Sequence, residues 1–250
     1  FNYAEGFRPG GGNTEGATNP NVPETYQPDV LDSYEFGWKM RSDDGRTTFN
    51  GAVYHMEWTD FQTSIYDLLI SPLIFRANAG NAEVDGIEAE LNTLVGERLM
   101  LGVGATYNQS QLTKDFNSTV DPDVVWAPKG RRLPYSPELR YSANARYTWE
   151  QGNDASGYAH ISYSYTDDMW NLLITEPFQA DAVPRLQDPY SIVDVRVGWE
   201  FSNSNYGFEL YATNLTDERA QSFINTGNYD SRVTTNRPRT LGFRVKARLN

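Results

Sequence analysis

The sequence has no cysteine, only two histidines and no long hydrophobic run. The missing run excludes a helical membrane protein, because a spanning helix needs about 20 consecutive apolar residues. The missing cysteine fits an oxidising compartment, where stray thiols are a liability. Basic residues are scarce: 21 Lys and Arg stand against 33 Asp and Glu, for a net charge of −12. That balance argues against nucleic acid, whose binders carry a basic footprint. No HExxH, P-loop or GxSxG motif occurs. Gly10-Gly11-Gly12 lacks the lysine and strand–helix context of a phosphate loop, and is expected as a mobile loop. No signal peptide is expected within this stretch. Phe1–Phe7 already reads as strand, so the chain is expected to be a fragment.

What is present is alternation. Leu139, Tyr141, Ala143, Ala145, Tyr147 and Trp149 share one face, with Arg140, Ser142, Asn144, Arg146 and Thr148 on the other. Leu99, Leu101, Val103 and Ala105 oppose Met100, Gly102, Gly104 and Thr106, and Ile87, Ala89 and Leu91 oppose Glu88, Glu90 and Asn92. Val193, Val195, Val197 and Trp199 oppose Asp194, Arg196, Gly198 and Glu200. Leu241, Phe243 and Val245 oppose Gly242, Arg244, Lys246 and Arg248, and Tyr34, Phe36, Trp38 and Met40 oppose Glu35, Gly37 and Lys39. The stretch Thr47–Tyr66 resists assignment. Ala52, Tyr54, Met56 and Trp58 share a face, but Phe49, Val53 and Phe61 lie opposite, and a bulge could switch faces midway.

These segments give about ten strands, near 1–8, 32–41, 47–66, 80–94, 99–114, 138–150, 156–169, 190–202, 205–216 and 240–249. Short links fall at Arg41–Arg46, Val95–Arg98, Glu150–Gly157 and Ser202–Asn205. Long ones fall at Pro9–Leu31, Asp67–Ala79, Asp115–Pro137, Trp170–Pro189 and Arg219–Arg239. Short and long alternate strictly, as the periplasmic turns and extracellular loops of an outer-membrane barrel do. The apolar faces run about ten residues, the length of a tilted bilayer crossing, whereas soluble strands usually run about five or six. Aromatics (14 % of the chain) gather at the ends of those faces, as at Tyr147, Trp149, Trp199 and Phe201. The expected fold is all-β: an antiparallel up-and-down transmembrane barrel or part of one, with no helix. A soluble carbohydrate-binding sandwich shares the alternation, with its apolar face turned inward.

Six stretches in order resemble TonB-dependent receptors: NYAEGFRPGGGN, LDSYEFGWKM with FNGAVYHMEWTDFQ, NAGNAEVDGIEAELN, LPYSPELRYSANARYTW, FELYATNLTDERA and NRPRTLGFRVKARL. Together they cover nearly the whole chain. The resemblance implies a barrel of about 22 strands with a plug in its lumen, of which residues 1–250 are the C-terminal portion. The plug and the motif that meets the energising TonB-type partner are missing from this stretch, and Asn250 stands where such barrels commonly end in an aromatic. The implied function is active import of a bulky nutrient, a ferric siderophore foremost, at the bacterial outer membrane. No catalysis and no cofactor are expected. The competing readings are a passive porin or sugar channel, and a complete ten-stranded surface protease.

Charges expected on the lumen wall are Glu35, Lys39, Glu88, Glu90, Arg140, Arg146, Asp194, Arg196, Glu200, Arg244, Lys246 and Arg248. They are read first as a wall holding the plug, and less as direct ligand contacts. Exposed pairs contribute only about 0–1 kcal/mol each, so retention needs many. Recognition is expected in the long loops. Trp126, Lys129, Arg131, Arg132 and Tyr135 lie in one, Trp170, Phe178 and Arg185 in the next, and Phe223, Tyr229, Arg232, Arg237 and Arg239 in the last. Arginine with aromatics suits an anionic aromatic ligand such as a ferric catecholate. The equal alternative is an upper girdle with arginines on anionic glycolipid. His55 with Glu57 offers too few ligands for a closed metal site, and His160 stands alone. Asn214–Asp217 (NLTD) reads as a turn with an Asx hydrogen bond. Asp121, Asp123, Asp167 and Asp168 read as turn acids before calcium ligands.

Overall fold

A computed structural model describes the chain except for residues 68–69, 153–154, 176–183, 202–205, 226–231 and 248–250. Ten strands form one antiparallel meander. They are β1 (Asn2–Arg8), β2 (Asp29–Arg41), β3 (Thr47–Thr59), β4 (Ala82–Val95), β5 (Leu99–Leu112), β6 (Leu139–Gln151), β7 (Ala155–Thr166), β8 (Tyr190–Phe201), β9 (Tyr206–Thr213) and β10 (Thr240–Ala247). Each pairs with its neighbours in chain order, and β1 and β10 stay unpaired at the two edges. The sheet is therefore an arc of a barrel wall, not a closed ten-stranded barrel. That removes the complete ten-stranded protease as a description of this architecture.

Register fixes the two faces, because directly paired residues point the same way and alternate residues point opposite ways. One rung runs Phe36, Val53, Ile87, Tyr107 and Leu139, and another runs Met40, Phe49, Leu91, Val103, Ala143, Tyr163 and Val193. This apolar face is uncovered: Phe36 is 59 % exposed, Leu210 56 % and Phe243 75 %. An exposed apolar face this broad is a lipid surface, since soluble monomers rarely show patches beyond a few hundred Å². The opposite face is polar and concave, and it lines a trough of about 850 Å³. Aromatics close both ends of the apolar face. On the short-turn side Trp149 meets Trp199 at 6.3 Å, and Trp199 meets Phe208 at 5.1 Å. On the long-loop side Tyr141 stacks on Tyr165 at 5.0 Å.

The ambiguous stretch after Thr47 resolves without a bulge. Strand β3 keeps one register along its length, with Thr48, Asn50, Ala52, Tyr54, Met56 and Trp58 inward and Phe49, Val53 and His55 outward. It stops at Asp60, whose φ of +53° breaks the extended chain. Phe61 then exchanges backbone hydrogen bonds with Ala79 and Gly80 at 2.7 Å, closing the base of a separate ribbon (Gln62–Asp67 with Ser71–Asn78). Inward Trp58 is apolar because it packs against the core of the long connections.

Within the described wall, five direct cross-strand pairs set an aromatic ring over a glycine: Trp38 on Gly51, Tyr54 on Gly86, Trp149 on Gly157, Tyr158 on Gly198 and Tyr211 on Gly242. At Gly157 an added Cβ would meet Trp149 Cε2 at 2.4 Å. Glycine weakens a strand by entropy, and the covering ring restores the lost packing.

The dry core sits outside the wall. Each long connection carries a short two-stranded ribbon, and the first four connections pack together. Val22, Ile65, Phe75, Ala77, Leu112, Phe116, Trp126, Leu133 and Leu173 form one buried cluster, with Trp58 and Phe61 against it. Leu139, Val195 and Phe243 are not in it. The glycine run is part of this order: Gly11–Gly12 pairs with Thr25–Tyr26, and a Cβ at Gly10 would lie 2.5 Å from the Tyr26 carbonyl. The mobile-loop expectation is thereby corrected, since glycine serves close backbone approach there.

Candidate functional site: the inner wall and the loop body

The inner face carries the charges in register. Ala52, Glu88, Thr106 and Arg140 make one rung, and Lys39, Asn50, Glu90, Gly104 and Ser142 the next. Glu35, Lys39, Glu88, Glu90 and Arg140 line the trough. Further along, Arg146, His160, Arg196, Tyr211 and Gly242 share a rung, with Asn144, Ser162 and Asp194 on one side and Tyr158, Gly198, Glu209 and Arg244 on the other. Arg248 lies outside the described residues.

Some of these groups are already satisfied. Glu209, 5 % exposed, accepts hydrogen bonds from Tyr158 Oη and, at 3.1 Å, from Arg244 Nη1. Lys246 stands 3.5 Å from Glu200. Asp194 Oδ1 accepts the Asn214 N–H at 2.8 Å. Arg146 lies 3.8 Å over the Tyr158 ring. Glu209, Tyr158 and Tyr211 are site residues that sequence reasoning missed. The alternation in Phe208–Tyr211 was the available signal, with Phe208 and Leu210 on the lipid side.

The loop residues divide into two groups. Trp126 is 3 % exposed and packs edge-on against Phe116 at 5.3 Å, so its ring builds the loop core and offers no surface to a ligand. Arg131 donates to the Leu172 and Leu173 carbonyls at 3.0 and 3.1 Å and covers the Trp170 ring at 4.1 Å. Burial, and then the charge of Arg132, lower its pKa. Arg132 pairs with Asp168 at 2.7 Å and Glu138 at 3.3 Å. Tyr135, at φ +57°, stacks on Phe223 at 5.2 Å and donates to the Ile224 carbonyl at 3.0 Å. Burial raises its hydroxyl pKa. Lys129, Arg185, Arg232, Arg237 and Arg239 are exposed. Phe178 and Tyr229 lie outside the described residues.

The remaining motifs are structural. The Asn214 side chain, at φ +51°, donates to the Glu218 and Arg237 carbonyls at 2.9 Å and accepts the Glu218 N–H, so NLTD ties the end of β9 to the approach to β10. Asp217 accepts the Arg239 N–H at 2.8 Å; that bond, followed by the nearby Arg219 and Arg239 charges, holds its carboxyl below the usual range. Asp121 accepts the Asp123 N–H at 3.1 Å in a turn. His55 faces outward, 2.7 Å from Asp85 and 3.5 Å from Glu57. Among the described residues no group of three or more His, Cys, Asp or Glu is placed to hold a metal.

Comparison with known proteins agrees with this architecture. Residues 1–215 match the family described as TonB dependent receptor-like, beta-barrel. A probable TonB-dependent siderophore receptor PiuA of Acinetobacter baumannii is 27 % identical over 220 residues, covering 86 % of this chain and 26 % of the relative. Among solved structures, the ferric yersiniabactin uptake receptor FyuA from Yersinia pestis superposes with a TM-score of 0.71 at 17 % identity, over 98 % of this chain and 34 % of that one. The siderophore receptor PiuA from Acinetobacter baumannii gives 0.68 at 20 % identity, over 97 % and 32 %. The chain thus spans about a quarter to a third of the relatives it matches. An open wall with a lipid-facing apolar side and long loops at one end, matched by the family over most of its length, makes this chain part of an outer-membrane β-barrel of the TonB-dependent receptor family.

Proposed function

We propose that residues 1–250 are the C-terminal portion of the barrel of an outer-membrane importer for ferric siderophores. The observation that carries this reading is the inverted wall: a bare apolar face outside, and a charged concave face inside. The named relatives, siderophore receptors, support the substrate class. The wall surrounds a plug carried elsewhere in the polypeptide, and a TonB-type complex pulls on that plug to drive import. The exposed Lys129, Arg185, Arg232, Arg237 and Arg239 meet the anionic ligand, while Arg131, Arg132, Tyr135 and Trp170 hold the loops that present them. Glycolipid surrounds the outer rim. The family consists of receptors rather than enzymes, and transport involves no covalent step.

Uptake of labelled ferric siderophore by iron-starved cells carrying the complete protein tests this. Uptake is expected to stop when the proton gradient is dissipated. Gradient-insensitive uptake, or steady ion conductance by the purified protein, refutes active import and favours a passive channel.

A further inference from the structure

We infer that the ribbon of the last long connection (Gln221–Asn225 with Arg232–Thr235) is a releasable strap, and that the buried amide of Gln187 sets it to release. The inference rests on packing among the loops and not on the siderophore reading.

The strap is fixed at its base. The Asn214 side chain clamps the Glu218 and Arg237 carbonyls. The Ala220 N–H donates to Asn236 Oδ1 at 3.1 Å, and the Asn236 N–H donates to the Ala220 carbonyl at 3.3 Å. From there the ribbon reaches past the fourth connection to Tyr135, at the end of the third. Its hold on the loop body centres on one backbone atom. The Ile224 carbonyl accepts Tyr135 Oη at 3.0 Å and Asn171 Nδ2 at 3.3 Å, and Phe223 stacks on Tyr135 at 5.2 Å. Ile224 is 3 % exposed in this docked position, yet it lies outside the buried cluster that joins the first four connections. The strap is latched onto the loop body and is not part of its core.

Beside the latch lies a polar group without partners. Leu186–Gln187 pairs with Met169–Trp170 in the fourth connection and lies against Gln221–Asn225 of the strap. Gln187 is 1 % exposed, and among the described residues neither its Oε1 nor its Nε2 has a hydrogen-bond partner. Buried polar atoms are rarely left so, and each carries its desolvation cost into the docked state. Lifting the strap opens the amide to water and removes that cost. The neighbouring Asn171 acts in the opposite sense. It is buried too, but its Nδ2 donates to the strap and its Oδ1 accepts the Arg185 N–H at 2.7 Å. Asn171 and Tyr135 hold the strap, and Gln187 weakens the hold. A segment that opens locally needs such a small net hold. Release also frees the carboxamide that fixes the Arg185 backbone, so the strap and the fourth connection are linked.

Ile224→Cys in the complete protein in detergent places a thiol that a bulky maleimide reaches only when the strap lifts. This chain contributes no other cysteine. Ser222→Cys, at an exposed position of the same strand, sets the rate of an open site. Tyr135→Phe removes one latch donor and is expected to speed labelling of Ile224→Cys several-fold. Gln187→Met removes the amide but keeps a side chain of similar bulk, and is expected to slow labelling about tenfold. A glutamine that merely supported the fold would give the opposite sign. The inference is overturned if Gln187→Met labels at the unsubstituted rate or faster. It is also overturned if Ile224→Cys labels as fast as Ser222→Cys, since the strap is then not docked. Should Gln187→Met not assemble, Gln187→Leu reads the same outcomes. Failure of both to assemble overturns the inference as well, because the amide is then required in the docked state.

Discussion

Arg8 and Asp29 are direct cross-strand partners at the mouth of the first wall hairpin, and Asp29 is the point where two loops are tied to the wall. Its carboxylate, 1 % exposed, takes Arg8 Nε at 3.0 Å on both oxygens. It also accepts Trp58 Nε1 at 3.1 Å and the Gln62 N–H at 3.0 Å. Gln62 in turn donates to the Pro9 and Gln27 carbonyls at 3.1 and 3.0 Å. The arginine of the GFRPG stretch is therefore an anchor.

Arg8 is half exposed, so removing Asp29 costs mainly through the orphaned Gln62 N–H and Trp58 Nε1, about 1–3 kcal/mol for each buried donor. Asp29→Ala in the complete protein is expected to expose the connections at 9–28 and 60–81 to protease while the wall stays folded. Asp29→Asn, which keeps an acceptor, is expected to do so less. Limited proteolysis with mass mapping reads the difference, and equal protection of all three proteins would refute the anchor role.

The aromatic–glycine pairs predict a site-dependent response to one added methyl group. Gly157→Ala drives a Cβ into Trp149, an overpacking that costs about 1–3 kcal/mol. Gly6, with nothing within 4 Å of the same position, is expected to tolerate alanine. Urea midpoints of the folded protein in detergent should fall for the first and hold for the second.

Trp126 separates loop architecture from ligand contact. Trp126→Ala leaves a cavity among Phe116 and its neighbours and is expected to destabilise the loop body by about 3–5 kcal/mol. Ligand affinity should fall only together with loop protection against protease. By contrast Arg185→Gln, at an exposed side chain, is expected to weaken an anionic ligand without altering protection. Affinity lost in Trp126→Ala with loops fully protected would return the ring to the ligand site.

Acid is expected to loosen the junction between β9 and β10. The depressed Asp217 carboxyl stabilises the fold above the ordinary carboxylate value of about 3.9. That contribution is lost as pH falls through the lower, folded value. Exchange of the Arg239 amide should therefore rise in that range, and Asp217→Asn should make it insensitive there.

The alternation of β6, β8 and β10, and the spacing of short and long links, made the wall legible from residues alone. A strand with one face in lipid and one in water has a period-2 pattern that is read locally, and the length of its apolar faces with the alternation of short and long links set it apart from a soluble sandwich. The loops were not legible in the same way. Trp126, Arg131 and Tyr135 have the residue types of a ligand site, yet their roles depend on Phe116, Leu173 and Ile224, which the chain brings to them from other segments. The Arg146–His160–Arg196 rung likewise needs two registers to exist, because composition can state a charge but only pairing can place its neighbours. What the sequence alone determined is the strand order and, outside Thr47–Thr59, the alternation of two faces, since that pattern is local; the register of β3 and the exposure of the apolar side came from the structure. Which arginines are spent on packing and which stay free was decided by tertiary structure, since long-range contacts choose each side chain's partner.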